Sequence, residues 1–522
     1  MNPTESPSPK PSASDFGKWM ALIAALLGWL FDGLEMGLFP LVQRPALDEL
    51  VGPEARQQWQ GIITSFFLIG AATGGVLFGW LGDRLGRVRA MMLSVLTYAL
   101  VSALCGFAST AWEIGVYRFL AALGMGGEWS LGVALITEIW PNRSRAFLAG
   151  LIGAAANVGY LIIALVGLGV LQKIGETRSL LVAVGMPDTW ADHLLRNQGW
   201  RFLMVLGAVP ALLTFFIRAF VPESERWLHE KEKGSTSHWQ SQDLLGVLIG
   251  SMAACGLVVL WAVDLTGAPL LGGIPLALFA FKAVLSLLAI AVTTIGYTYP
   301  AACYLKRAGG QPSLDANGRE TLKRMLLAAC LSGVALLGTW GTIQQAPAWA
   351  GGLVEHIPLA ERPPAAAYTQ GATAFGAVLG TLVAALMGNW VSRRLTYCLL
   401  CLGSLVTIPT FFLTCTEFNT TFLLMAGLTG AISASFYGWL PLYLPELFPT
   451  AVRATGQGFG FNFGRILAAI GVLQLGNLKS LFQANFPGAT EAHVYTSLCA
   501  IYLLGLVLIW FVPETKGKEL PE

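Results

Sequence analysis

The sequence predicts an all-α membrane protein made of two six-helix repeats with a helix pair inserted between them, about fourteen membrane-crossing helices in all. Three observations lead there. Of 522 residues, 55% are hydrophobic and only 12% are charged, with a mean hydropathy of +0.63; a soluble domain carries roughly 25% charged residues. Apolar runs of about 20 residues, the length that spans roughly 30 Å of hydrocarbon, recur along the chain. Short charged loops also recur in two copies, one in each half of the chain.

Taken in order, residues 1–18 are rich in Pro and Ser and lack the pattern of a signal peptide, which predicts a disordered cytoplasmic tail. Apolar runs at 20–42, 61–81, 91–107, 112–139, 147–171 and 200–221 make a first half over 19–221. A linker, 222–324, holds the two extra runs at 244–263 and 271–299. Runs at 325–345, 372–388, 395–414, 422–444, 456–475 and 495–512 make a second half over 325–512, and 513–522 is a closing tail. Lys and Arg concentrate in every second loop, on the side of the tails. Under the positive-inside rule this places both termini in the cytoplasm of a multi-pass protein of the cell's inner or plasma membrane.

The repeats are specific. Gly79-Trp-Leu-Gly-Asp83-Arg84-Leu-Gly86-Arg87 has a reduced copy in Gly388-Asn389-Trp-Val-Ser-Arg393-Arg394. Glu138-Ile-Trp-Pro-Asn-Arg-Ser-Arg145 and Glu446-Leu-Phe-Pro-Thr-Ala-Val-Arg453 share E-x-x-P-x-x-x-R, and Pro222-Glu-Ser-Glu and Pro513-Glu-Thr-Lys close the two units. Two inserted helices leave the orientation of every later helix unchanged, so the halves are parallel repeats with a site expected at their interface near mid-membrane.

Composition narrows the function. A net charge of +2 implies no polyanionic partner, so nucleic acid is not expected. The eight cysteines fall mostly within apolar runs and read as small core residues. No metal-ligand cluster, nucleophile with a base, or phosphate loop of the G-x-x-x-x-G-K-[ST] type is present, so neither an enzyme nor a cofactor is expected, and an ion gradient would drive transport. All five histidines lie in predicted loops, which leaves a carboxylate to carry any coupled proton at mid-membrane.

Gly79 to Arg87, with its G-x-x-x-D-R-x-G-R spacing, resembles the signature loop of the major facilitator superfamily. Pro222-Glu-Ser-Glu-Arg-Trp-Leu, Pro445-Glu-Leu-Phe-Pro-Thr-Ala-Val-Arg453 and Pro513-Glu-Thr-Lys-Gly resemble its sugar-porter branch. Gly126-Gly127-Glu128-Trp129, with Phe31-Asp32-Gly33-Leu34-Glu35, is similar to the metabolite:proton symporters of carboxylates, and the inserted helix pair to bacterial sialic acid:proton symporters. The chain departs from the sialic acid carriers where they have an Arg in helix 2, reading Gly70-Ala-Ala-Thr73 instead. The resemblance implies the major facilitator fold and a proton symporter whose helices 1, 4, 7 and 10 line the cavity. It also implies an Asp32–Arg118 pair that opens on protonation, and a latch of helix ends.

A charge at the bilayer centre costs roughly 3 kcal/mol, so each one is a candidate site residue. Asp32 and Glu35, three apart on one helix face, together with Arg118, are the proton-coupling candidates. Arg465, about 14 Å into its helix and without a local acid, is the candidate receiver of an anionic substrate; Trp340, Gln344, Gln345 and Tyr437 are its candidate companions, with Trp439 equally readable as an interface anchor. Asp83, Arg84, Arg87, Glu128, Glu138, Arg145, Glu446 and Arg453 are the gate and latch candidates. The partners expected are a small-molecule substrate, a proton and the bilayer, with the chain a monomer. A neutral-sugar porter is the alternative reading, and a non-transporting receptor of the same fold is a further one.

Overall fold

The computed structural model describes residues 15–140, 144–262, 275–310, 313–358 and 361–521. The predicted tail over 1–18 lies mostly outside them, as do the middle of the first E-x-x-P-x-x-x-R motif and the start of the second inserted run. Among the described residues, fourteen helical spans are long and apolar enough to cross a membrane when one bent pair counts as a single span. The first half is α1 (Phe16–Leu50), α2 (Gly52–Leu85), α3 (Arg87–Phe107), α4 (Ala111–Ile139), α5 (Arg145–Val170) and α6 (Asp188–Ile217). The inserted pair is α7 (Ser241–Ala262) and α8 (Leu278–Ala308). The second half is α9 (Ala316–Leu353), α10 (Ala365–Trp390), α11 (Arg393–Thr414), α12 (Thr420–Leu447), α13 (Thr450–Leu473 with Leu475–Asn485, bent by 43°) and α14 (Glu491–Phe511).

All the helices but α8 start ahead of their apolar runs, because hydropathy marks only the hydrocarbon while local caps set where the backbone turns. Thr110 and Glu113 form a reciprocal capping box at the start of α4, and the side chains of Ser392 and Asn419 cap α11 and α12. The prediction that the sixth run starts at Trp200 coincides with a kink: Asn197, Gln198 and Gly199 take positive φ inside α6, and Glu49 gathers Arg196, Asn197, Trp200 and Arg201 around it. His193, His229 and His493 sit in helices and not in loops as predicted, and none of the five histidines lines the central cavity.

Small residues let the helices close in, since apolar lipid supplies no hydrophobic drive between them. In α2, Gly70 with Gly74 and Gly75 with Gly79 make two small-residue stripes, which face different neighbours. A Cβ at Gly74 would lie 1.9 Å from the Leu123 carbonyl oxygen of α4, and one at Gly75 would lie 2.2 Å from the Asn462 amide of α13. The second half repeats the first contact: Cβ atoms at Gly376 and Gly380 of α10 would each fall 1.9 Å from a carbonyl of α12. The Gly456, Gly460, Gly464 stripe of α13 lets Gly460 and Gly464 meet Ala328 and Gly333 of α9.

The inserted pair packs against the outside of α2 and α13. Gly250 and Gly296 bring its two helices together, and the buried Tyr297 hydroxyl bonds Thr73 Oγ1 at 2.6 Å while its ring meets Phe463 edge-on. Thr73, at the point where the chain departs from the sialic acid carriers, is thus bound to this pair. It also donates to the Ile69 carbonyl, and it does not line the cavity.

Candidate functional site

A cavity enclosing about 910 Å³ of empty space, its open mouth included, lies between the halves. The expected α1, α4, α9 and α12 line it, joined by α5, α10 and α13. On the second-half side it sits at helix breaks. α9 stops being helical after Trp340 and resumes as a 3-10 turn at Ile343, α12 breaks at Ala434 and Ser435, and α13 breaks at Phe463. Broken helices at mid-membrane are tolerated where they line a cavity.

Asp32, Trp340, Gln344, Tyr437 and Arg465 all line this space. Gln344 accepts from the Tyr160 hydroxyl of α5 at 3.0 Å, and the Tyr437 hydroxyl meets Thr339 at 2.9 Å. Gln345, placed with them from sequence, turns away: its amide donates to the Trp340 carbonyl at 2.9 Å, since the 3-10 turn at Ile343 sets it about 120° round from Gln344. Trp439 is fully buried beside Tyr397 and Tyr443 and donates to the Arg393 carbonyl, so it packs the helix end. Trp29, Trp129, Asn157, Tyr160 and Phe461 line the cavity without having been singled out. Trp129 stands in the quoted Gly126 to Trp129 motif, whereas Asn157 and Tyr160 lie in an ordinary small-residue run that carries no signal.

Arg118 pairs with Glu35 and not with Asp32. α4 runs antiparallel to α1, and Glu128 lies against Gly28, so Arg118, ten residues away along α4, reaches the acid nearer the end of α1. Its guanidinium also lies 4.3 Å from the Phe67 ring centroid. Asp32 Oδ1 makes no hydrogen bond within the protein, and Arg465 makes no ion pair with any described residue. Arg465 Nε and Nη1 are buried without hydrogen-bond partners, and its guanidinium lies 5.3 Å from the Phe461 ring centroid.

Below the cavity the halves are sealed in two layers. The upper is a flat stack of Trp129 on Phe461, 3.9 Å between centroids, flanked by bonds from the Asn462 amide to the Gly126 carbonyl and from the Gln457 amide to the Ser130 carbonyl. The lower is the latch, and it exchanges partners between the repeated motifs. Glu138 of the first half bonds Arg453 of the second at 3.1 Å, and Arg145 of the first bonds Glu446 of the second at 2.9 Å. Arg87 joins Asp83 and Glu138, and Asp83 accepts from the Thr455 amide and hydroxyl at 2.8 and 2.6 Å. On the second half Arg393 joins Glu446, but Asn389, the counterpart of Asp83, is exposed, so only the first loop reaches across. Two latch candidates stand apart. Arg84 lies over Trp80 and bonds Ser241 of the linker, and Glu128 faces Gly28 with neither oxygen bonded in the protein.

Glu223 and Glu514 of the closing motifs cap the starts of α3 and α11, accepting from the amides of Arg87 and Val88 and of Arg393 and Arg394. Burial pushes the Glu223 carboxyl above its ordinary range, whereas at the less buried Glu514 burial is outweighed by the backbone amides of Lys516, Arg394, Arg393 and Thr515, which hold it below. The opposite face holds less: an ion pair of Arg44 with Glu355, both about half exposed, of a kind worth at most about 1 kcal/mol.

Breaking a buried pair leaves an uncompensated charge, at about 3 to 5 kcal/mol. Arg87→Ala, which takes from Asp83 its ion-pair partner and leaves Glu138 with Arg453, is expected to slow turnover while leaving substrate affinity nearly unchanged, because it biases two conformations and touches no ligand. Cysteines introduced beside Phe461 should label faster from the latch side in this variant; unchanged labelling with a selective loss of affinity would contradict the placement.

Comparison with known proteins agrees with this architecture. The family described as "Sugar (and other) transporter" matches residues 20–247. The cis,cis-muconate transport protein of Acinetobacter baylyi is 25% identical over 499 residues, 95% of this chain and 95% of its own length. The sialic acid transporter NanX of Escherichia coli is 25% identical over 217 residues, 42% of this chain and 47% of its own. Among solved structures, the proton:xylose symporter XylE superposes with a TM-score of 0.66 at 19% identity, covering 97% of this chain and 98% of that one. With its helix order, repeated latch and central cavity, the chain has the major facilitator fold, and along nearly its whole length it is similar to multi-pass metabolite transporters.

Proposed function

We propose that the chain is a proton-coupled symporter of a small organic anion, a carboxylate, bound in the central cavity with Arg465 as its counter-ion. The observation that supports this most is Arg465 itself, a buried guanidinium on the cavity wall with two nitrogens lacking any partner and no ion pair to a described residue. A charge held this way is costly unless something pairs with it. Trp29, Trp129, Trp340, Tyr437 and Phe461 give the site an aromatic wall, and Gln344, Asn157 and Tyr160 supply hydrogen bonds, a balance suited to a small acid with an unsaturated or ring body. Relatives named for muconate and sialic acid, both acids, favour the same class. Asp32, on the same wall, carries the proton, and both termini face the cytoplasm, with the chain acting as a monomer.

The test is uptake of radiolabelled carboxylates and neutral sugars into proteoliposomes, with and without an inward proton gradient. Acid uptake that rises with the gradient is expected. Uptake of sugars alone, or competition by sugars and not by anions, would favour the neutral-sugar reading.

A further inference from the structure

Among the described residues, Glu128 is the most isolated acid: it is fully buried and neither oxygen is bonded in the protein. It stands between Gly124 and Gly132 on one face of α4, four residues from each. Each of those glycines admits a neighbour with an orphaned polar group: Tyr98 packs on Gly124, and the Trp29 indole nitrogen lies 3.3 Å from where a Gly132 Cβ would be. Opposite, a Cβ at Gly28 would fall 1.9 Å from Glu128 Oε1, so α1 is notched to admit this carboxylate. Asp32 is four residues along from that notch, on the same face of α1.

Asp32 on α1 and Tyr98 on α3 lie within electrostatic reach of Glu128, and Asp32 is in turn within reach of Glu35 on its own helix and of Arg465 on α13. Glu35 and Arg118 neutralise each other. Asp32, Glu128 and Arg465 then carry one excess negative charge if both acids are ionised. We infer that Asp32 and Glu128 hold one proton between them in the empty carrier, and that Glu128 is the relay through which the transported proton passes from Asp32 toward the latch side. This rests on the proton-coupled reading above.

The charges balance on both legs. Empty, one shared proton leaves a single carboxylate against Arg465. Loaded, a monovalent substrate anion takes Arg465, and the second carboxylate receives the transported proton, so the centre is again neutral. On release the Glu128 O–H bond breaks first, its proton passing to water on the latch side, and the O–H bond of Asp32 then breaks as Tyr98 Oη accepts that proton while giving its own to the Glu128 carboxylate. Asp32 is left as the carboxylate that re-pairs with Arg465 when substrate leaves. Glu128 does not line the cavity, so protons enter only through Asp32.

The experiment compares wild type, Glu128→Gln and Tyr98→Phe in proteoliposomes, measuring substrate-induced proton uptake, gradient-driven accumulation and labelled-substrate counterflow on the same preparations. The probe is a labelled carboxylate that the wild type transports. For Glu128→Gln, counterflow should persist, which also shows that the variant folds, while proton uptake and accumulation rates fall about a hundredfold, the usual size of a positioned proton carrier's contribution. Tyr98→Phe should slow both in the same sense, and Glu128→Asp should restore part of the rate. Wild-type proton uptake in Glu128→Gln would overturn the relay. So would loss of counterflow with substrate binding retained, since Glu128 would then serve the conformational change. A wild type that moves substrate without moving protons would instead overturn the underlying proton-coupled reading.

Discussion

Asp32→Asn is expected to abolish gradient-driven accumulation and to leave exchange of substrate across the membrane intact. At one proton per substrate, each pH unit across the bilayer supports about a tenfold substrate gradient, or about 1.4 kcal/mol; the variant should settle at equal concentrations inside and out. The reasoning is local. Asp32 is the acid that lines the cavity, it makes no protein hydrogen bond through Oδ1, and it lies within electrostatic reach of Arg465. Glu35 is already held by Arg118. An amide keeps the shape and removes the ionisable oxygen, so exchange, which needs no net proton movement, survives. Full accumulation by the variant would remove Asp32 from the coupling. The assay is labelled uptake to plateau, with counterflow on the same vesicles as the folding control.

Arg465 should show a loss of affinity confined to anions. Arg465→Lys weakens carboxylate binding because an ammonium cannot reproduce a planar two-point contact, and Arg465→Gln weakens it further. A charge-assisted hydrogen bond is worth about 1.5 to 3 kcal/mol, so the loss is about ten- to a hundredfold. An amide analogue of the substrate should bind wild type and Arg465→Gln about equally. If Arg465 serves only to balance Asp32, acid and amide lose alike, and that result, read by substrate-dependent tryptophan fluorescence, would return the neutral-sugar reading to first place.

The architecture was legible because a bilayer leaves few choices. Backbone groups must be satisfied within each crossing segment, so hydropathy finds the helices and the duplicated loops find the repeat. Pairing across helices was less legible. The resemblance pointed to Asp32 with Arg118, yet the Gly28–Glu128 contact fixes a register between α1 and α4 that gives Arg118 to Glu35. That register depends on which glycine accepts which side chain, and a single sequence does not display it. Gln345 failed for a related reason, since a helical period was assumed through Gly341, where the helix ends. The swapped pairing of Glu138 with Arg453 and Arg145 with Glu446 follows from the repeat once the halves face each other, but sequence alone gives two like motifs and no partner assignment.

The latch also has a history in the life of each molecule. Its side chains come from residues 83–87, 138–145, 223–224, 446–455 and 513–521, and Arg453 reaches the Pro521 carbonyl at 2.7 Å. During synthesis Arg87 and Glu138 therefore enter the membrane interface long before Arg453 and Thr455 exist. The nascent first half must wait with Asp83 short of its cross-half bonds while six more helices are threaded. Ser224 and Glu223, made directly after α6, bond Glu138 and the Arg87 amide in that interval, acting as a provisional clasp until the last stretch of chain arrives.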